Sequence, residues 1–167
     1  LEVIDYAHLR DKKIYVALNT MLFENEIAPA LAHAQKLYEM GVDALIMADV
    51  GLMHLVRMQL PNVAVHASTQ AAVQNRLGAA RMSELGVQRV VAPREASLAD
   101  LKEMAQADIE IEAFCHGALC SGVSGMCLIS SAIGARSGNR GRCAQPCRMI
   151  YDLLGEKAYH LSTKDLC

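Results

Sequence analysis

The chain has no tryptophan and only two phenylalanines in 167 residues, so it offers no aromatic platform on which nucleobases could be read by stacking. No apolar run approaches the roughly 18 to 20 residues of a membrane-spanning helix, and nothing at the start resembles a secretory signal. A cytoplasmic protein without a membrane partner is expected. An excess of one charge is also lacking: 16 Lys and Arg against 18 Asp and Glu leave a formal net charge of -2. That balance argues against a strongly basic nucleic-acid arm, although it leaves room for a local basic patch. No glycine-rich dinucleotide fingerprint follows any candidate strand. A serine-protease elbow, a zinc-protease helix motif and a papain-like cysteine motif are missing as well. The chain opens at Leu1 rather than at a methionine, and it stops at Cys167 just after a helix-like start at Ser162-Thr163-Lys164-Asp165. It reads as an interior piece of a longer protein.

What is present is an ordinary globular mixture, 53% hydrophobic, enough for one domain or part of one. Short apolar runs rich in β-branched residues at 14–18, 44–47, 63–65, 90–92 and 109–114 read as buried strands. Helical patterns lie between them. The clearest places Ile27, Ala30, Leu31, Ala34, Leu37 and Tyr38 on one face and is stopped by Gly41. A second is expected over residues 69–85, stopped by Gly86, and a third starts at Ser97, with Asp100 completing a capping box. The stretch Leu37-Tyr38-Glu39-Met40-Gly41-Val42 is echoed by Met82-Ser83-Glu84-Leu85-Gly86-Val87, each before a strand. This is an α/β chain of parallel βα repeats. Part of a (βα)8 TIM-like barrel is preferred over a doubly wound sheet. Three regions follow: a βα-repeat barrel portion at 1–116, a cysteine-rich cluster-binding segment at 117–151, and the start of a next element at 152–167.

In either architecture the C-terminal strand ends share one face, which is the predicted site. Those ends carry Asn19, Asp49, His66, Ser68, Gln70, Arg94, Glu95 and His116. The plainer reading is that Asp49, Ser68 and Thr69 cap helices, and that His66 is a hydrogen-bonded core histidine. His33 and His54 fall on helices and read as ordinary positions.

Six cysteines in a chain without an export signal should stay reduced and available to metal. Residues 117–151 hold four of them, Cys120, Cys127, Cys143 and Cys147, with six glycines, four arginines and no acidic residue. Four thiolates suit either an iron–sulfur (4Fe-4S) cluster or a tetrahedral zinc. Six residues separate the first pair, wider than a usual zinc knuckle, and this favours the cluster. The arginines would offset its negative charge, and glycines let backbone N–H groups approach its sulfurs. Cys115, at the end of an apolar strand, is expected to be a core thiol.

Glu112-Ala113-Phe114-Cys115-His116-Gly117-Ala118-Leu119-Cys120, followed by Gly125-Met126-Cys127-Leu128-Ile129-Ser130, resembles the signature of the U32 family, usually labelled peptidase U32. Also similar to that family are His66-Ala67-Ser68-Thr69-Gln70, the run Arg136-Ser137-Gly138-Asn139-Arg140-Gly141-Arg142-Cys143-Ala144-Gln145-Pro146-Cys147-Arg148, and Ser162-Thr163-Lys164-Asp165-Leu166-Cys167. The resemblance implies a barrel-like fold. It also implies one of two activities, since members were first described as collagenase-type proteases while other relatives install hydroxyl groups without oxygen. Some of the latter act on tRNA uridine or rRNA cytidine, with prephenate implicated, and ubiquinone-related members carry a cysteine-held 4Fe-4S cluster.

The resulting expectation is a cluster-dependent RNA hydroxylation enzyme. Cys120, Cys127, Cys143 and Cys147 would be the metal ligands. Arg136, Arg140, Arg142 and Arg148 would contact the cofactor or an oxyanion substrate. His66, Gln70, Glu112 and His116 are the candidate catalytic residues. One alternative is a peptidase using Cys115 or Ser68 with His116 or His66. Another is a non-catalytic iron–sulfur partner of a redox protein or of a second U32 protein.

Overall fold

A computed structural model describes residues 2–117, 120–153 and 155–160. After helix α1 (Glu2–His8), strands and helices alternate as β1 (Tyr15–Leu18), α2 (Glu24–Glu39), β2 (Ala44–Met47), α3 (Val50–Gln59), β3 (Ala64–Ala67), α4 (Arg76–Glu84), β4 (Arg89–Val91), α5 (Leu98–Met104) and β5 (Glu110–Glu112). The five strands form one parallel sheet in the order β1-β2-β3-β4-β5. Strand order therefore follows chain order, without the reversal that defines a doubly wound sheet. Beyond the sheet come α6 (Ile129–Gly134) and an antiparallel hairpin, β6 (Ile150–Leu153) with β7 (Glu156–His160). No helix among the described residues is long and apolar enough to cross a membrane.

Side-chain alternation along each strand separates two faces. Leu45, Met47, Val65, Ala67 and Val90 enter the main core, with Leu52, Met53 and Val56 of α3 and Met104 of α5, all less than 2% exposed. Each of the Leu, Met and Val side chains stabilises the fold by about 1.5–3 kcal/mol relative to exposure. The other face carries a lateral row set by the register: Ala17 beside Ile46, then His66, Arg89 and Glu110.

Local chemistry sets the helix ends. Asp49 caps α3 by accepting the Leu52 N–H at 2.9 Å, and Asn75 caps α4 through the Gly78 N–H at 2.9 Å. The expected capping box between Ser97 and Asp100 opens α5. Gly41 and Gly86, at φ +89° and +79°, follow α2 and α4, where only glycine turns left-handed without strain.

Three sequence expectations are corrected. Residues 69–85 are not one helix: a 3-10 turn at Thr69–Ala71 ends at left-handed Ala72 (φ +53°), and α4 starts afresh at its Asn75 cap. The fifth strand is Glu110–Glu112 rather than 109–114, and Phe114 stands 52% exposed beyond it. Cys115 follows on this exposed run and is not a core thiol. Of the last expected element, residues 161–167 lie outside the described residues.

Candidate functional site: a four-thiol cavity over the sheet mouth

The loops after β1, β2, β3 and β4 meet at the C-terminal edge of the sheet, as parallel βα units require. Asn19 donates to the Ser68 hydroxyl at 3.4 Å, and that oxygen accepts the Gln70 N–H at 3.2 Å. Asp49 accepts a second N–H, from Leu22, at 3.4 Å. Asn19, Asp49 and Ser68 thus tie the mouth together and cap its turns, the plainer of the two roles open to them.

The cysteine segment lies across this edge. The Ser124 backbone N–H and hydroxyl donate to the two oxygens of Glu95 at 2.8 and 2.9 Å. Gly125 passes so close to β3's following turn that a Cβ there would stand 2.5 Å from the Gln70 carbonyl oxygen. On the other side the Met21 N–H donates to the Asn139 carbonyl at 3.2 Å, and Arg140 binds Glu26 with both guanidinium nitrogens while donating to the Met21 carbonyl at 2.7 Å. This fork and the Phe23 N–H hold the Glu26 carboxyl down at about 2. For Glu95, burial pushes the carboxyl up, but the Ser124 hydrogen bonds outweigh it and the net shift is downward.

Between sheet and segment is a cavity of about 360 Å³ lined by Cys120, Cys127, Cys143 and Cys147 together with Gln70 and Arg94. No disulfide joins these cysteines. Gly122 is pressed against the first pair, where a Cβ would lie 2.8 Å from the Cys127 Cβ and 3.8 Å from the Cys120 Sγ. Gly138 lies beside Cys143, and the Gln145 N–H donates to the Cys143 sulfur at 3.3 Å. Among the described residues no three of His, Cys, Asp and Glu close on a single ion position. Zinc, with Zn–S bonds of about 2.3 Å, needs its sulfurs around one point. The four thiols line the cavity, a donor set suited to thiolate-bound metal.

The expected site residues are distributed unevenly. Gln70 joins the four cysteines at the cavity, its Oε1 buried and without a hydrogen-bond partner among the described residues. His66 and Glu112 lie on the sheet face away from the helices. His66 is 4% exposed and sets its ring edge-on to Tyr15 at 4.8 Å, while Glu112 pairs with Arg89 at 2.9 Å. Burial pushes the imidazole's pKa down, and neighbouring Arg89 adds to this. His116 is exposed on the run leaving β5. Arg140 is committed to Glu26, Arg136 donates to the Arg142 carbonyl at 3.1 Å, Arg142 is exposed, and Arg148 is half-buried on the turn Pro146–Arg148. The cation on the cavity wall is Arg94, which stacks over the Phe114 ring at 5.0 Å. Its place at a strand end is the sequence signal for it, whereas composition alone points to the arginines of the cysteine segment.

Fold and cavity define a parallel α/β protein whose strand-end mouth is roofed by a four-thiol segment. The chain belongs to the U32 family: the model for Peptidase family U32 matches residues 1–167. It is 43% identical to the tRNA hydroxylation protein P of Helicobacter pylori (strain J99 / ATCC 700824), over 90% of this chain and 36% of that protein. It is 42% identical to the 23S rRNA 5-hydroxycytidine C2501 synthase of Escherichia coli (strain K12), over 91% of this chain and 23% of that protein. The chain therefore spans about a third or less of the length of these relatives. In fold it is similar to the U32 peptidase Mk0906, with a TM-score of 0.57 and 15% identity over 67% of this chain and 49% of that one.

Proposed function

We propose that this chain is the cysteine-bearing portion of an oxygen-independent RNA hydroxylation enzyme, in which Cys120, Cys127, Cys143 and Cys147 hold a 4Fe-4S cluster. The observation that carries the reading is the convergence of all four cysteines, from two separate stretches of one acid-free segment, on a single cavity. The names of the relatives, a tRNA hydroxylation protein and an rRNA hydroxycytidine synthase, support RNA as the substrate. The unreversed strand order supports completion of the sheet as a (βα)8 barrel.

When bound, such a cluster supplies one-electron chemistry in a potential range set by its surroundings. The chain's own residues do the rest. Gly122 and Gly138 leave space beside the sulfurs, and the Gln145 N–H donates a hydrogen bond to the Cys143 sulfur. Arg94 presents a planar fork at the cavity wall, suited to a phosphate or to the carboxylates of a co-substrate such as prephenate. Gln70 lines the cavity wall beside the thiols. The peptidase reading lacks this support. Ser68 Oγ is engaged by Asn19 and Gln70, and neither Cys115 nor His116 lines the four-thiol cavity.

The test is purification without oxygen, followed by a visible spectrum and assays of iron, sulfide and zinc. The expected result is a broad visible band with about four irons per chain, lost in Cys127→Ser. In cells lacking the native gene, Cys120→Ser should fail to restore hydroxylated nucleosides in tRNA or rRNA. A colourless protein with one zinc would make the site structural and overturn the proposal. A metal-free protein that cleaves gelatin would turn attention to the peptidase activity.

A further inference from the structure

The two cysteine pairs are not held by the same part of the sheet mouth. Glu95, on the loop after β4, takes the Ser124 N–H at 2.8 Å and hydroxyl at 2.9 Å, and Ser124 sits between Cys120 and Cys127. Ser124 is 4% exposed, and Gln74 braces Glu95 from the side at 3.1 Å. Glu26, in the first turn of α2, takes the Arg140 fork, and Arg140 precedes Cys143 by three positions. Arg140 also stacks over Phe23 at 4.9 Å. Both anchors are carboxylates standing outside a segment that contains no acidic residue of its own. Both carboxylate contacts of the segment are therefore made to residues outside it, Ser124 to Glu95 and Arg140 to Glu26.

We infer that Glu95 and Glu26 are positioning residues for the thiol cavity, Glu95 seating the half with Cys120 and Cys127 and Glu26 seating the half with Cys143 and Cys147. The inference rests on the reading of this cavity as the seat of a thiolate-bound group, since positioning matters only if the halves must meet. Neither carboxylate lines the cavity, so each acts through the loop it grips. Two independent anchors also predict two independent failures. Releasing one half should expose its own thiols and leave the other pair in place.

Rates of thiol alkylation in the metal-free full-length protein read this directly, with modified cysteines identified by mass spectrometry. Glu95→Ala should speed modification of Cys127 about tenfold, the size expected when a charge-assisted bond holding a loop closed is lost. Cys147 should keep its rate. Glu26→Ala should show the converse, faster at Cys147 and unchanged at Cys127. Glu95→Gln and Glu26→Gln, which keep an acceptor oxygen, should fall between wild type and the alanine variants. Glu84→Ala, which breaks only the exposed Arg81–Glu84 pair, should change neither rate. Circular dichroism should show the same helix content in all five variants.

In the anaerobically reconstituted protein, the same two alanine variants should lose the visible band to a chelator faster than wild type. If wild type takes up no metal, the cluster reading falls, while the alkylation pattern still decides whether the carboxylates seat the thiols. Unchanged alkylation in folded Glu95→Ala and Glu26→Ala, or acceleration of all four thiols together by either one, would overturn the inference.

Discussion

At Gly125 the backbone stands at φ +77°, and the Gln70 carbonyl occupies the space in which a side chain would begin. Both obstacles are backbone, so no rotamer change can relieve them. Gly125→Ala should therefore cost about 1–3 kcal/mol in local strain, and it should push residues 120–127 away from the mouth. Gly134, the last residue of α6, has no atom within 4 Å of its would-be Cβ. Gly134→Ala should be neutral or stabilising by up to about 1 kcal/mol. Urea unfolding of the two variants checks the contrast. Equal stability would mean that the close approach at Gly125 does not constrain the loop. The Gln70 amide beside it shows how a residue can be legible by type and not by task. Its place after a strand marked it as a site residue, but only the fold shows that its Oε1 is buried without a partner among the described residues.

Among the elements, the break inside residues 69–85 gives the sharpest test. A continuous helix there would make Ala72 an interior position, where glycine costs about 1 kcal/mol relative to alanine. Observed at φ +53°, Ala72 instead occupies the left-handed region that glycine adopts freely and alanine only at a cost of roughly 1–2 kcal/mol. Ala72→Gly should therefore stabilise the protein, while Asn75→Ala should destabilise it by about 1 kcal/mol through loss of the α4 cap. Opposite signs in thermal or urea unfolding support the broken geometry, and a destabilising Ala72→Gly would count against it. The same region shows where sequence reading works and where it stops. Strand β2 is found at the expected residues because a short apolar run between turn residues has one good solution. Asn75 is an equally plain cap, but the helix-compatible Gln70-Ala71-Ala72-Val73-Gln74 before it hides it, and the competing Ser68 cap closes only a single 3-10 turn. In the cysteine segment, spacing identified the thiols as a set. The Glu26 and Glu95 anchors could not be found this way, because they lie 114 and 29 residues from their partners.

For the molecule as a whole, the shifted groups predict the shape of its stability against pH. His66 is buried and its folded pKa lies below the ordinary 6.5. Above 6.5 both folded and unfolded forms are neutral and the group costs nothing. As pH falls below 6.5 the unfolded chain takes up the proton first, so stability declines until the folded pKa is passed. The carboxylates act lower on the scale. Glu26 is held down at about 2 by Arg140, and Asp100 is lowered by the Ser97 hydroxyl and backbone. At Asp43, burial is outweighed by hydrogen bonds from His8 and the Ile14 N–H. Each favours the fold above its unfolded value, 4.5 for Glu and 3.8 for Asp, and loses that contribution as pH drops through its folded value. These carboxylates are all at least partly open to solvent and screened, so the acid limb should be shallow and should weaken further in high salt. The decline between pH 6.5 and 5 should come chiefly from His66. Urea unfolding at pH 7.5, 6 and 5 should show falling stability in the wild type and a nearly flat profile in His66→Gln, whereas an unaltered slope in that variant would place the titrating group elsewhere.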